Sequence, residues 1–290
     1  MKNKEAKESY RKTVVDLKNE YKLGHYKAAY KLGMIYMTPE MKDYERAYFW
    51  FNIGAQAGDA SAQYYLSKFY EFDLLGKYDL AEAYRCLKAA SEQGEVRAML
   101  RLAIWYRMGI YVPKDAMLGW KMMLQLAEKG VAEACFLVAQ EYEKGNSMMA
   151  SDMKQSLFYY ECAANYNYPD ALYKMGVFCW EGRYLQRDPQ KAIRYLEDSC
   201  LRKCAEAQYY LSTLCSTDAY YHLTRRPILL NAAAKANHVK AMYDLACMYL
   251  FGGKHIQEDR EKAEYWFRKA AKAGYGKAKE ICSAAFDKPE

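Results

Sequence analysis

One small residue returns along the whole chain at a nearly fixed interval: Ala28, Ala62, Ala98, Ala134, Ala171, Ala207, Ala241 and Ala278. The steps between them are 34, 36, 36, 37, 36, 34 and 37 residues. A period of this length confines the fold. Each unit is one supersecondary motif that cannot bury its apolar face alone and must stack on copies of itself. The 290 residues would fill two ordinary domains, yet the unbroken period predicts one elongated array. Solenoids bind along extended concave surfaces, so the same feature points to recognition.

Within a unit the pattern is helical. The first helix, A, reads Ala-x-x-x-Leu-small-x-x-aromatic: Ala28, Leu32, Gly33, Tyr36 in the first unit and Ala98, Leu102, Ala103, Tyr106 in the third. Ala134, Val138, Ala139, Tyr142 and Ala241, Leu245, Ala246, Tyr249 repeat it. Offsets 0, 4, 5 and 8 from the alanine share one face. The small residues let a partner helix come close, and the large ones fill the space between units.

The second helix, B, has both ends written in the sequence. An aspartate opens it at Asp43, Asp79, Asp115, Asp152, Asp188 and Asp259, where its carboxylate accepts orphan N–H groups of the first turn. Asp79 with Glu82, and Asp152 with Gln155, have capping-box spacing. Pro189 falls at the first helical position, where no N–H is needed. Fifteen residues after each aspartate comes the stop: Gly58, Gly94, Gly130, Asn167, Lys203 and Gly274, with Gly24 and Asn237 in the same place elsewhere. Gly and Asn best tolerate the left-handed turn that ends a helix. Lys203 is the exception, and the register predicts a positive φ there. The next alanine follows four residues later in all eight cases, so only the A-to-B loop varies in length.

These signals predict an all-α fold, an α-solenoid of about seven helix pairs with capping helices. Helix content should exceed about 65%, against about one third in ordinary domains, with no sheet. Residues 1–23 are expected to form an N-terminal capping helix, with Val14, Val15 and Leu17 facing inward. Residues 24–274 form the array, and residues 275–290 a capping helix and tail. The sixth unit departs most. His222 stands where the N-cap aspartate belongs, Asp218 offers an earlier start, and Pro227 falls inside the expected helix B, where it should kink it.

Composition narrows the class. The hydrophobic fraction of 52% supports a large core, and a net charge of +7 spread along the chain is short of a nucleic-acid arm. Residues 1–22 are charged and amphipathic without an apolar h-region, so no signal peptide is expected. No run approaches the length needed to span a membrane. Nine cysteines at irregular spacing suggest a reducing compartment. A cytoplasmic monomer is expected.

The stretch Asp259–Gly274, with Glu261-Lys262-Ala263 and Lys269-Ala270-Ala271, joins the Ala-x-x-x-Leu-Gly-x-x-Tyr pattern of helix A in a specific set of motifs. Over residues 24–284 it resembles the Sel-one-like repeat, a relative of the tetratricopeptide repeat. The resemblance implies a right-handed superhelix of antiparallel helix pairs. It also implies an adaptor or binding protein of the kind used in assembly, signalling and host–microbe contacts. By analogy, helix A lines the concave groove at offsets −1, +2, +6 and +9.

Offset +2 gives an aromatic column: Tyr30, Tyr64, Phe136, Tyr173, Tyr209 and Tyr243, with Leu100 between. Such a column either stacks on a bound peptide or packs between units. Offset −1 gives Arg97, offset +6 Lys68 and Gln140, and offset +9 Arg107 and Trp180; Arg101 lies beside them. The bases suit an acidic peptide or a carboxylate terminus, or form a solvated face. The partner is therefore expected to be a protein or peptide, with neither membrane nor nucleic acid involved. RNA on a basic aromatic groove is a weaker option, and an immunity or antitoxin protein that neutralises one enzyme is the alternative within binding proteins.

Chemistry has little footing. Ser-x-x-Lys at Ser9–Lys12 and Ser151–Lys154 lacks the Ser-Asp-Asn and Lys-Thr-Gly partners of a penicillin-binding hydrolase. Cys200, Cys204, Cys215 and His222 do not have zinc spacing, and Cys179 and Cys215 stand at the core position +8. No catalytic residue, cofactor or metal is expected.

Overall fold

The computed structural model describes residues 2–145, 150–217, 225–253 and 256–286. It is all-helical, with 76% helix. No strand occurs among the described residues; Gly253 and Ile256 form an isolated bridge. The helices are α1 (Lys2–Lys22), α2 (Lys27–Tyr36), α3 (Tyr44–Gln56), α4 (Ala60–Glu71), α5 (Leu80–Glu92), α6 (Val96–Met108), α7 (Ala116–Glu128) and α8 (Ala132–Lys144). They continue as α9 (Met153–Asn165), α10 (Pro169–Glu181), α11 (Pro189–Leu201), α12 (Ala205–Thr217), α13 (Arg226–Lys235), α14 (Val239–Phe251), α15 (Arg260–Lys272) and α16 (Gly276–Ile281), closed by a π-helical turn, Cys282–Phe286. Consecutive helices pack as adjacent pairs, which is the α-solenoid architecture. Packing divides the chain into two units, Met1–Ala134 and Cys135–Glu290.

The six repeats whose helix B opens with an aspartate are built by the same few bonds. All six aspartates cap helix B: Asp115 accepts from the Leu118 N–H at 2.8 Å, and Asp43, Asp79, Asp152, Asp188 and Asp259 do likewise. The backbone N–H of the same aspartate reaches back to helix A. It donates to the carbonyl at offset +8: Tyr36, Tyr70, Tyr106, Tyr142, Cys179 and Tyr249, at 2.8–3.1 Å. The loop between the helices varies in length, but its closure does not. At the other end, the stop residues turn left-handed: Gly58 (φ 84°), Gly94 (83°), Gly130 (79°), Asn167 (60°), Asn237 (67°) and Gly274 (93°). The Gly58 N–H bonds the Ala55 carbonyl and the Asp59 N–H the Gly54 carbonyl, the paired bonds of a Schellman motif. Asn167, Lys203 and Asn237 close in the same way.

In the first unit the core runs through Leu32, Trp50, Phe51, Leu66 and Phe69 and then Leu87, Leu102 and Trp105. In the second it runs through Leu196, Leu211 and Leu230 to Leu245 and Phe267. The repeat alanines Ala62, Ala98, Ala171, Ala207, Ala241 and Ala278 are wholly buried.

Two expectations need correction. Pro227 does not kink a helix, because α13 starts at Arg226 and the proline lies in its first turn, where backbone N–H groups have no intrahelical partner. Val15 does not face inward. Val14 and Leu17 are buried but Val15 is 57% exposed, since one residue turns the helix by about 100° and only one side of α1 meets the array. Asp218 and His222 lie outside the described residues.

Lys203 has φ 64° and is exposed, so the repeat register holds at this junction. A lysine there carries roughly 1 kcal/mol of steric cost that glycine avoids. Lys203→Gly should therefore raise stability by about that amount in thermal or denaturant unfolding. Gly119 gives the opposite case. A Cβ on it would lie 2.5 Å from the Ala103 carbonyl oxygen and 2.9 Å from the Arg107 nitrogen. Alanine would gain about 1 kcal/mol in helix propensity and lose about 1–3 kcal/mol to overpacking against backbone that cannot rotate away. Gly119→Ala is expected to lower the melting temperature, and a rise would contradict the close approach.

Candidate functional site

The helix A surface of the second and third repeats gathers the basic candidates. α4 supplies Tyr64 and Lys68, α6 supplies Arg97, Leu100, Arg101 and Ile104, and Glu133 enters from the first turn of α8. With Glu71 and Phe72 they line a cavity of about 180 Å³. Apart from Phe72, the C-cap residue of α4, its residues come from offsets −1, +2, +3, +6 and +9, so the periodicity of helix A builds the wall.

The arginines are held rather than loose. Glu95 is the N-cap of α6 and accepts from Arg97 Nε at 2.8 Å, Arg97 Nη2 at 3.1 Å and Ser61 Oγ at 2.8 Å. Arg97 also donates to the Tyr65 hydroxyl at 3.2 Å and lies 4.9 Å from the Tyr64 ring centre and 5.2 Å from that of Tyr65. These bonds hold the Glu95 carboxyl below its ordinary range, with the Arg97 hydrogen bond the largest cause. One turn on, Arg101 donates through Nε to both oxygens of Glu71 at 3.0 Å, and Nη2 adds a third contact. Trp105 Nε1 donates to the same carboxylate at 2.9 Å. Lys68 differs. Its ammonium lies 5.8 and 5.6 Å from the Tyr64 and Tyr65 ring centres and pairs with no described carboxylate. Burial raises the Tyr64 hydroxyl above its usual value, partly offset by Arg97, so Tyr64 stays a neutral ring and donor.

The arginines and Lys68 thus converge, but Glu71 and Glu95 balance much of the charge. Arg107 is not part of the cavity; its backbone N and Cβ lie against Gly119 of α7. The aromatic column is half-buried, each ring leaning on neighbours. Tyr30 contacts Phe51 and Tyr65; Phe136 contacts Tyr160 and Tyr168; Tyr173 contacts Tyr210. Tyr209 stacks on His238 at 4.3 Å, and Tyr243 meets Phe267 edge-on. Gln140 is half-buried, and Trp180 lies under the Arg187 guanidinium at 5.6 Å.

A second rung of the same type occurs in the second unit. Glu143, at offset +9, accepts from Lys174 Nζ, at offset +3 of α10, at 3.0 Å and from the Tyr160 hydroxyl at 2.5 Å. Burial pushes the Glu143 carboxyl up, but these donors more than reverse it. The spacing matches Glu71–Arg101. Sequence reasoning missed Glu71 and Glu95; the repeating +9/+3 pair was the available signal for Glu71, and a carboxylate in an N-cap place for Glu95.

Among the described residues no three His, Cys, Asp or Glu side chains gather as a metal site. Burial pushes the Cys200 thiol to about 12, and Cys204 Sγ lies 3.4 Å from Asp170. No helix of the described residues is long and apolar enough to cross a membrane.

The Sel1 repeat matches residues 27–59, 60–95, 96–131, 132–165, 169–202 and 239–275. An uncharacterised protein of Neisseria meningitidis serogroup B is 26% identical over 245 residues, 84% of this chain and 50% of that protein. The chain spans half or less of the length of the curated relatives it matches. A Sel1 repeat protein from Oxalobacter formigenes superposes with a TM-score of 0.67 at 21% identity, covering 90% of this chain and 99% of that one. The immunity protein PA5088 from Pseudomonas aeruginosa gives 0.53 at 16% identity, covering 80% and 87%. Both likenesses are of fold.

The lowered pKa of Glu95 has a pH consequence. A depressed carboxylate adds stability above its unfolded value, about pH 4.3, and loses it as pH falls through the lower folded value. Arg97 is part-exposed, so the contribution is on the order of 1 kcal/mol. Glu95→Gln should lose that much at pH 7 and show a flatter decline in melting temperature below about pH 4. An unchanged acid limb would remove Glu95 from the network.

Proposed function

This chain belongs to the Sel1 repeat family, and we propose that it is a protein-interaction scaffold that takes a peptide or protein segment along its helix A surface. The observation that carries the reading is the cavity between α4, α6 and the start of α8. There an ammonium held only by rings, at Lys68, shares the lining with apolar Leu100 and Ile104. Arg97 and Arg101 are fixed by Glu95 and Glu71, so they stand ready at little further cost in side-chain entropy. Arg101 still has both Nη1 hydrogens uncommitted, and Lys68 all three of its own. An acidic side chain next to an apolar one fits these groups.

A second reading has the chain neutralising a single cognate enzyme. Its support is the shared fold of immunity proteins from Pseudomonas aeruginosa. Co-purification from the native host with mass spectrometry separates the two. Several assembly partners support a scaffold, one stoichiometric enzyme whose activity falls supports immunity, and turnover of a substrate supports neither.

With a partner identified, Lys68→Glu should weaken binding about tenfold, as for a rim charge placed against its complement. Lys68 carries no ion pair whose loss would unfold the protein. Titration calorimetry checks this, and unchanged affinity would move the binding face elsewhere.

A further inference from the structure

In three places among the described residues, the residue at offset −1 of one helix A reaches the residue at offset −3 of the next. Ser61 Oγ donates to Glu95 at 2.8 Å, Cys204 Sγ donates to Asp170 at 3.4 Å, and Glu206 pairs with His238 Nε2 at 3.2 Å. Glu133 holds offset −1 at the start of α8. It is exposed and makes no hydrogen bond or ion pair with a described residue. The residue at the following offset −3 is Tyr168, the N-cap of α10, whose side chain makes no capping bond. An acid in the first turn suits the helix dipole. That accounts for a carboxylate at this position, but not for its place in the lining of the groove.

The other lining residues show what the groove leaves unanswered. Glu71 is filled by Arg101 and Trp105, and Arg97 is committed to Glu95, Tyr65 and Ser61. Three charged groups keep bonding capacity: the Lys68 ammonium, Arg101 Nη1 and the Glu133 carboxylate. The Tyr64 hydroxyl both donates and accepts, so it favours neither charge. Burial is the main cause that raises this hydroxyl, and the Glu133 charge adds to it. The field of the carboxylate therefore reaches the ring beside Lys68.

A purely acidic segment would satisfy the cations and be repelled by Glu133, and a purely basic one would do the reverse. A segment with one charge of each sign answers all three groups. Side chains two residues apart on an extended segment share a face about 7 Å apart, comparable to the width of a cavity of about 180 Å³. The stem of a lysine is apolar and can lie on Leu100 and Ile104 while its ammonium meets Glu133. We infer that the groove selects a dipolar segment, an acidic and a basic residue with one residue between them, and that Glu133 sets this specificity. The inference rests on the groove being the site of binding.

The test uses the peptide Ac-Gly-Glu-Gly-Lys-Gly-amide and two counterparts. One has norleucine for the lysine, which keeps the apolar stem without the charge, and the other has glutamate there. Each is titrated against the full chain at low salt and followed by the NMR signal of the Trp105 indole N–H, which is bonded to Glu71 beside Arg101. The lysine peptide should bind about two- to fivefold more tightly than the norleucine peptide, the effect of an exposed ion pair, and glutamate should weaken binding by a similar factor. Salt at about 1 M should remove the preference. Glu133→Gln should make the lysine and norleucine peptides equal, and Glu133→Lys should reverse their order. Glu133 is exposed, so both variants keep the fold. Equal binding of these two peptides to the native chain, or a preference that persists in Glu133→Gln, would overturn the assignment and leave the Lys68 groove standing. No shift with any of the peptides up to about 10 mM would remove the groove reading along with it.

Discussion

The third, fourth and fifth repeats depend on the approach of helix B to helix A at one point. The residue four after the capping aspartate meets the residue at offset +5 of helix A. In the third repeat a glycine there leaves no room for a Cβ against the Ala103 carbonyl. In the fourth, Ser156 donates its hydroxyl to the Ala139 carbonyl at 2.9 Å. In the fifth, Ala192 presents its carbonyl oxygen 3.2 Å from where a Cβ would sit on Gly176. Backbone approaches side chain, or backbone, with nothing between. Such a contact fixes spacing far more sharply than a leucine pair, because close-packed atoms at this distance have no rotamer to escape into. The aspartate cap and the bond from its N–H to the offset +8 carbonyl set the phase of helix B so that its fourth residue arrives there. The left-handed stop then restarts the next helix A in phase.

That dependence explains what the sequence made legible. Small residues at close contacts, aspartate caps and left-handed stops are local demands met by few residue types, so they leave a mark at each position. Lys203 shows how strong the register is: it shares the positive φ of all seven other stops, against the preference of lysine. The sequence misleads where local signals are weak or displaced. Pro227 reads as a helix breaker only when its helix starts where the other repeats would put it, and α13 starts later, at Arg226. Val15 reads as inward from its apolar side chain, yet a single helix packed on one side has room for only part of its apolar residues.

The candidate site was legible in position and not in charge balance. Offsets from the alanine brought Tyr64, Lys68, Arg97 and Arg101 to one wall, because helix periodicity determines which side chains share a face. It does not reveal which carboxylate will answer each cation. Glu71 and Arg101 are 30 residues apart, a separation set by the stacking of units and visible only when two repeats are superimposed. Arg107 shows the same limit: its offset fits the groove, while its backbone belongs to the contact with Gly119.

Pairing across neighbouring units also changes what a cation in a repeat protein means. The rungs Glu71–Arg101 and Glu143–Lys174 tie one helix A to the next at matching offsets, and their charges are largely spent on the array itself. They orient side chains and specify register, and a buried rung of this kind is weak grounds for net stability. A group left for recognition is one that breaks the internal pattern: the Lys68 ammonium, held by rings where Arg97 and Arg101 beside it have ion pairs. In a chain built by repetition, function is most readable where a side chain leaves the internal pairing that its neighbours keep.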